Sequence, residues 1–494
     1  MFSVYGENAP RTIFAVTLGM LGAAVLVAGA EKHNLLAVGV ACGLPVALLL
    51  SVQPRRLTLL FLLAILVLEE FPSGEGETLE RSTRTAFYSV SLGIPGFYAP
   101  DALLAATLAG FTIRLLLLKQ SFALPLDRIS LGIALLCAVL LTSTGLSVLF
   151  GSPFDAAVAN VSTTMPAVNE RAAKLIALFQ FKNFSLLVFA YLLGLFFFRR
   201  RRDLDNFVHT FLAAAVIMVP IGVIRFALHP RLMAENKPLF YHSPTTWIFG
   251  LVIFYVLCLW IYRKTTPRQL LWLGILCIIL SGFIFASFRR TMWGAIILAA
   301  VVLAFLIPPQ QRHRYFLLIM VGIAGMGAAL LFSPGLLAAI MNRINETSVS
   351  DPSTLYRMTL FIWFHQNLAD LPLMGVGFRP LWDIQARLGY FSTNLENIHS
   401  LYFWILLRLG LLGALCLLVI LGLTISEILR KLKNRRYAEY HALVICIFLA
   451  LVMLLFSGIF NPVYAEVRYM ILFGFSLAII SRLPQIIAQS PAKL

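Results

Sequence analysis

Apolar runs long enough to cross a bilayer core of roughly 30 Å recur along the whole chain, separated by short polar breaks. Fourteen runs read as membrane spans, near residues 12–30, 35–52, 57–69, 100–118, 129–150, 175–197, 207–228, 245–262, 270–287, 291–307, 315–332, 400–423, 442–460 and 467–483, the third of them short and in need of its flanks to span. Helices are the expected form, because backbone in lipid must satisfy its own N–H and C=O groups. The fold class expected is all-α: a polytopic integral membrane helical bundle of about 14 transmembrane helices.

The polar breaks carry an orientation. "QPRR", "FRRRRD", "YRKTTPR", "QQRHR" and "RKLKNRR" all follow spans of the same parity, which makes that side cytoplasmic and places both termini inside. The opposite side has sizeable loops near 70–99, 151–174 and 229–244, and a much larger one at 333–399. Within the large loop, "DPSTLYRMTLFIWFHQNLAD" puts Asp and Ser ahead of apolar residues at 355, 358, 361, 362 and 368, the pattern of a short amphipathic helix on the membrane surface. The chain thus divides into spans one to eleven (1–332), the outer loop (333–399), and the last three spans with a cytoplasmic C-terminus (400–494). Ala28-Gly29-Ala30, at the end of the first run, resembles a signal-peptidase site, and losing that run would leave the remaining topology unchanged.

Composition agrees. Of 494 residues, 60% are hydrophobic and only 12% charged, a balance that excludes a soluble domain of this size. The net charge of +17 would suggest nucleic acid in a soluble protein; here the positive-inside rule accounts for it. The six cysteines all lie within apolar runs and show no metal-binding or redox spacing.

The outer side nevertheless breaks the orientation rule. Arg225, Arg289, Arg290, Arg357, Arg379 and several other basic residues fall there. Ordinary surface pairing with neighbouring acids explains part of this. The preference for arginine over lysine points to anion binding, since a guanidinium holds phosphate in a fork. "SFRRTMWG" (287–294) is the sharpest case. Residues 270–307 would be roughly 57 Å long as a single helix, so the chain must turn back here and set Arg289 and Arg290 at the outer boundary. Snorkelling to lipid phosphates is the bland alternative, but two adjacent arginines point in different directions, so one of them is expected to face inward. Arg357 starts the amphipathic segment, where free N–H groups and the dipole favour an anion; a solvated surface arginine fits as well. His399 opens the span at 400–423. It is either a polar residue at a helix start or, beside arginines that lower its pKa, a neutral imidazole able to accept a proton. Arg408, nine residues on, falls on the other side of the helix and reads as structural.

In this order, "SFRR", "YRMTLFIW", "PLMGVGF" and "NIHSLYFWILLRLGLLG" resemble the bacterial O-antigen ligase and O-antigen polymerase superfamily, over residues 285–420. Two departures stand out. Phe288 and Arg289 interrupt the family's Ser-Arg pair, leaving Arg290 as the match and Arg289 as a rival; and Ser400 replaces the Asn of its His-Asn. The resemblance implies inverting, metal-independent glycosyl transfer on the periplasmic face of the bacterial inner membrane, with no cofactor. The donor implied is a glycan on undecaprenyl diphosphate, the acceptor a glycan or lipid hydroxyl, and other membrane proteins of polysaccharide assembly are implied partners. It assigns Arg290 and Arg357 to the diphosphate and His399 to the acceptor hydroxyl. Arg289, Arg225 and Arg379 are further anion contacts, and Tyr356 and Trp382 candidate stacking surfaces for sugar rings.

The extra spans and sizeable outer loops favour a polymerase over a ligase acting on lipid A-core or protein. A lipid-linked oligosaccharide transporter is the alternative of a different class. It would carry charges at mid-bilayer and break its helices there, whereas most charges here sit at the outer edge, with Arg114 and Lys182 as the exceptions near span ends.

Overall fold

The computed structural model describes residues 54–67, 99–117, 125, 127–150, 170–228, 243–262, 266–287, 289–332, 400–461 and 467–489, with isolated residues between 341 and 378. Among them there are helices and no strand. In chain order these are α1 (Pro54–Val67), α2 (Ala99–Leu117), α3 (Arg128–Phe150), α4 (Glu170–Phe197), α5 (Arg201–Leu228), α6 (Ser243–Ile261), α7 (Pro267–Ala286), α8 (Arg290–Leu306), α9 (Arg312–Phe332), α10 (Leu401–Lys433), α11 (His441–Phe460) and α12 (Val467–Gln489).

Each coincides with an expected span from the third onward; the first two spans and the signal-like site lie outside the described residues. Seven described helices are long and apolar enough to cross a membrane, or eight if the bent pair α8–α9 is one span. The chain is thus a multi-pass membrane protein. Four bounds move: α10 runs on to Lys433, so "RKLK" ends a helix rather than filling a loop, α4 begins at Glu170, α5 begins at Arg201 and takes in the end of the basic run before the expected span, and α12 runs on to Gln489. α4 runs from Glu170 to Phe197, so Lys182, expected near a span end, stands well inside this 28-residue helix.

The chain forms two compact units. In the smaller (1–124 and 195–210), α1 packs on α2, and Phe111 stacks on Phe196 at 5.6 Å. Asp203, nearly buried, accepts from the backbone N–H groups of Arg199 and Arg200 at 3.0 and 2.8 Å, and Arg55 Nε lies 3.8 Å from it. One carboxylate thereby satisfies the orphan donors at the start of α5.

In the larger unit (125–194 and 211–494), α8 and α11 pack along their length, α3 packs on α10, and α6 packs on α7 and α11. Side chains rather than charges set these contacts. Gly132 on α3 faces Ile420 of α10, and the Gly474 position on α12 lies against the Leu187 carbonyl of α4, close approaches that small residues permit between membrane helices. Tyr191 of α4 bonds Ser130 of α3 at 2.6 Å and Ser481 of α12 at 3.2 Å. The helices differ in burial: α12 is enclosed nearly all round, whereas α7 leaves Leu271, Trp272, Ile275 and Ile278 exposed, as expected of a lipid-facing helix. Between α8 and α9 the chain bends by 119° at Pro308–Pro309, which lack donors and end the helix. Arg312 then closes on the Ile307 carbonyl at 3.3 Å.

Candidate functional site: the N-terminal ends of α6, α8, α10 and α12

Four helix N-termini meet at one end of the larger unit. Arg468, in the first turn of α12, is fully buried and donates to Thr245 Oγ1 near the start of α6 at 2.6 Å. Next to it, the Tyr469 ring meets Trp247 edge-on at 5.4 Å, and its hydroxyl lies 3.8 Å from the Met292 sulfur in the first turn of α8. The same sulfur accepts from Ser457 near the end of α11 at 3.4 Å. The neighbouring Gly458 lies against Leu401, the first residue of α10, and Tyr402 donates to the Leu455 carbonyl at 2.9 Å. None of α6, α8, α10 and α12 has an acidic residue in its first turn. Four positive dipole ends therefore share this end of the bundle with arginine side chains, an electrostatic setting for an anion.

The turn between α7 and α8 is built as the sequence suggested. Ser287, buried, donates to the Ile284 carbonyl at 2.7 Å, and Trp293 Nε1 donates to the same carbonyl at 3.0 Å, stitching the two helices across the reversal. Arg289 occupies the N-cap position of α8 and Arg290 its first residue. Both are half-buried, and Arg289 turns its Nε into the protein.

The long segment between α9 and α10 touches this part of the larger unit at two described places. Met358, Phe361, Ile362 and His365, the described residues of the expected amphipathic segment, are helical and exposed. Phe361, four residues after Arg357, lies 6.1 Å ring to ring from Phe403, four residues after His399. That contact ties the two candidate segments to one helix start. The second place is deeper. Leu373 to Phe378 reach a break in α10 at Gly410, whose φ of 65° and ψ of −163° interrupt the helix. Phe378 is fully buried against Trp404 at 5.7 Å and Phe181 at 6.2 Å.

The site residues expected from the sequence fare unevenly. Arg289 and Arg290 lie at the start of α8, at the end the four N-termini share. Arg357, Tyr356, Arg379, Trp382 and His399 lie outside the described residues, although Ser400, next to His399, occupies the N-cap position of α10 at this end. Arg225 belongs to α5, with only its backbone described. Two arginines carry more structure than the sequence signalled. Arg468 sits in "YAEVRYMI", a span opening that reads as an ordinary interfacial arginine, and nothing in that stretch announces its burial. Arg408 is buried and structural as expected, but its partner, the Gly377 carbonyl at 3.0 Å, is visible only in the fold.

This is a helical membrane protein in which four helix N-termini of the larger unit share one end with arginine side chains. Residues 275–418 match the family model described as O-antigen ligase, a segment that runs from α7 through the loop to the first half of α10. The match supports the O-antigen ligase and polymerase superfamily that the motif order resembles, and the matched segment contains both described loop contacts and the Arg289–Arg290 turn. No curated protein matches the chain.

Proposed function

We propose that the protein transfers a glycan from undecaprenyl diphosphate to an acceptor hydroxyl at the periplasmic face of the bacterial inner membrane, in the assembly of a surface polysaccharide. One observation carries the reading: four helix N-termini without first-turn acids converge where Arg289 and Arg290 stand, inside the segment that matches the O-antigen ligase family. A diphosphate leaving group is the anion such an end can stabilise as charge develops on it.

In this reading Arg290 and Arg357 hold the diphosphate, with Arg289, Arg225 and Arg379 adding charge around it. His399 takes the proton of the acceptor hydroxyl. The acceptor oxygen then bonds to the anomeric carbon from the face opposite the leaving oxygen, the carbon–oxygen bond to phosphate breaks, and undecaprenyl diphosphate departs with the electron pair. A single displacement of this kind inverts the anomeric configuration and requires no metal. Tyr356 and Trp382 supply flat faces for sugar rings.

Polymerisation, with a second lipid-linked glycan as acceptor, is favoured by the number of spans and the several sizeable outer loops. Ligation to lipid A-core or protein is favoured by the description of the matched family. Profiling lipid-linked and surface glycans in a deletion strain separates them. Loss of the polymer ladder on undecaprenyl diphosphate supports the polymerase; accumulation of finished polymer on it supports the ligase; an unchanged profile refutes glycosyl transfer altogether.

A further inference from the structure

Residues 373–378 are held to α10 by a set of contacts that no plain turn requires. Gly410 lies roughly 13 Å along α10 from its first residue, at 1.5 Å per residue, so the loop reaches well into the bundle rather than over its top. Irregular backbone at such depth persists only where protein satisfies its polar groups. Here it does so from both sides. Gly377 N–H donates to the Arg408 carbonyl at 3.0 Å, and Arg408 Nη1 donates back to the Gly377 carbonyl at 3.0 Å. Beyond the break, Leu412 N–H donates to the Leu373 carbonyl at 3.2 Å. Ser143 of α3 points its hydroxyl at the Arg408 carbonyl, 3.1 Å away, and at that of Met374, 3.3 Å away. Gly375 and Gly410, both at positive φ, meet backbone to backbone, with no room for a Cβ on either.

We propose that Arg408 is a positioning residue: by clamping the Gly375–Gly377 turn into the broken helix α10 it fixes the middle of the outer loop and so sets Arg357 and Arg379, on either side of that turn, relative to the start of α10. The positioning role rests on the glycosyl-transfer reading above; the clamp itself does not. α10 is helical from Leu401 up to the break at Gly410, so the anchored turn is tied through that stretch to the helix start that follows His399. A slip of about 1 Å at such an anchor is enough to lower a transfer rate on the order of 10²-fold.

The test uses the full-length protein in lipid nanodiscs, with hydrogen exchange read by mass spectrometry over residues 373–378, and surface polymer per molecule of inserted protein in a complemented deletion strain. Arg408→Leu should speed exchange in that segment about 10-fold or more and lower polymer per molecule by about 10²-fold. Arg408→Lys, which keeps a donor for the Gly377 carbonyl, should retain more of both. If Arg408→Leu does not accumulate, Ser143→Ala decides, with faster exchange at the same segment and a smaller loss of polymer expected. Unchanged exchange in the variant that accumulates overturns the clamp. Faster exchange with normal polymer per molecule, or polymer that falls only in step with protein amount, overturns the positioning role. Should deletion of the protein leave all glycans unchanged, the functional reading falls, and the exchange result alone upholds or overturns the clamp.

Discussion

Gly410→Ala is the substitution whose effect the geometry determines most sharply. At φ 65° and ψ −163° the backbone lies in a region that is essentially glycine-only, and a side chain there brings roughly 1–3 kcal/mol of strain. The added Cβ would also fall 2.3 Å from both the Gly375 nitrogen and the Leu373 oxygen, and 2.6 Å from the Leu373 carbon. These are backbone atoms, which cannot rotate away, so the docked turn must move, at a further ~1–3 kcal/mol typical of overpacking. The sum is roughly 2–6 kcal/mol. At about 2 °C per kcal/mol for a large domain, the Tm should fall by roughly 4–12 °C. Thermal unfolding of the purified protein in detergent, followed by size-exclusion fluorescence, measures it. Gly422→Ala on the same helix is the control: nothing lies within 4 Å of its Cβ position, and it should leave Tm unchanged or slightly raised. Equal Tm values for the two variants would refute the close Gly375–Gly410 approach.

Further outcomes follow from the proposed site. Arg290→Ala should reduce transfer by about 10²–10³-fold with normal insertion, and Arg290→Lys should rescue poorly, because a point charge does not replace a fork; full activity of the Lys variant would contradict a bidentate diphosphate contact. His399→Ala should lose at least ~10²-fold in activity while Tm is unchanged, and near-normal activity of His399→Gln would reassign the histidine from base to positioning of the acceptor. Cysteines introduced at Asn160, Asn236 and Ser350 should react with an impermeant thiol reagent from outside intact cells, and one at Leu432 should not; labelling at 432 would invert the orientation and move the site to the other face. Chelators should leave transfer unaffected, and inhibition that magnesium reverses would reinstate a metal.

The helices were legible in the sequence because length and apolarity are sufficient for them. A run that must cross hydrocarbon has to satisfy its own backbone, so each described helix falls where the hydropathy placed a span. The "SFRR" reversal was legible for the same reason, since an uninterrupted helix of that length has nowhere to go. Periodicity assigned no faces, however. Lipid is as apolar as a protein core, so α7, open on most of its surface, and α12, enclosed on nearly all of it, read alike from composition.

What only the tertiary structure decided is held between distant residues. Gly410 stands in "LRLGLLGALC", where a glycine in a membrane helix is unremarkable; its positive φ exists because Gly375, far back in the chain, comes against it. "PLMGVGF" by itself is a turn and no more, until Arg408 and Ser143 supply the groups that hold it. Arg468 looks interfacial until Thr245 of α6 and the neighbouring helices close over it. The sequence by itself determined that this chain is a set of membrane helices with arginines at several of their ends. Which of those arginines are buried, and where a helix breaks to admit a loop, were decided by the packing, because a buried donor or a strained glycine is stable only once its partner has arrived.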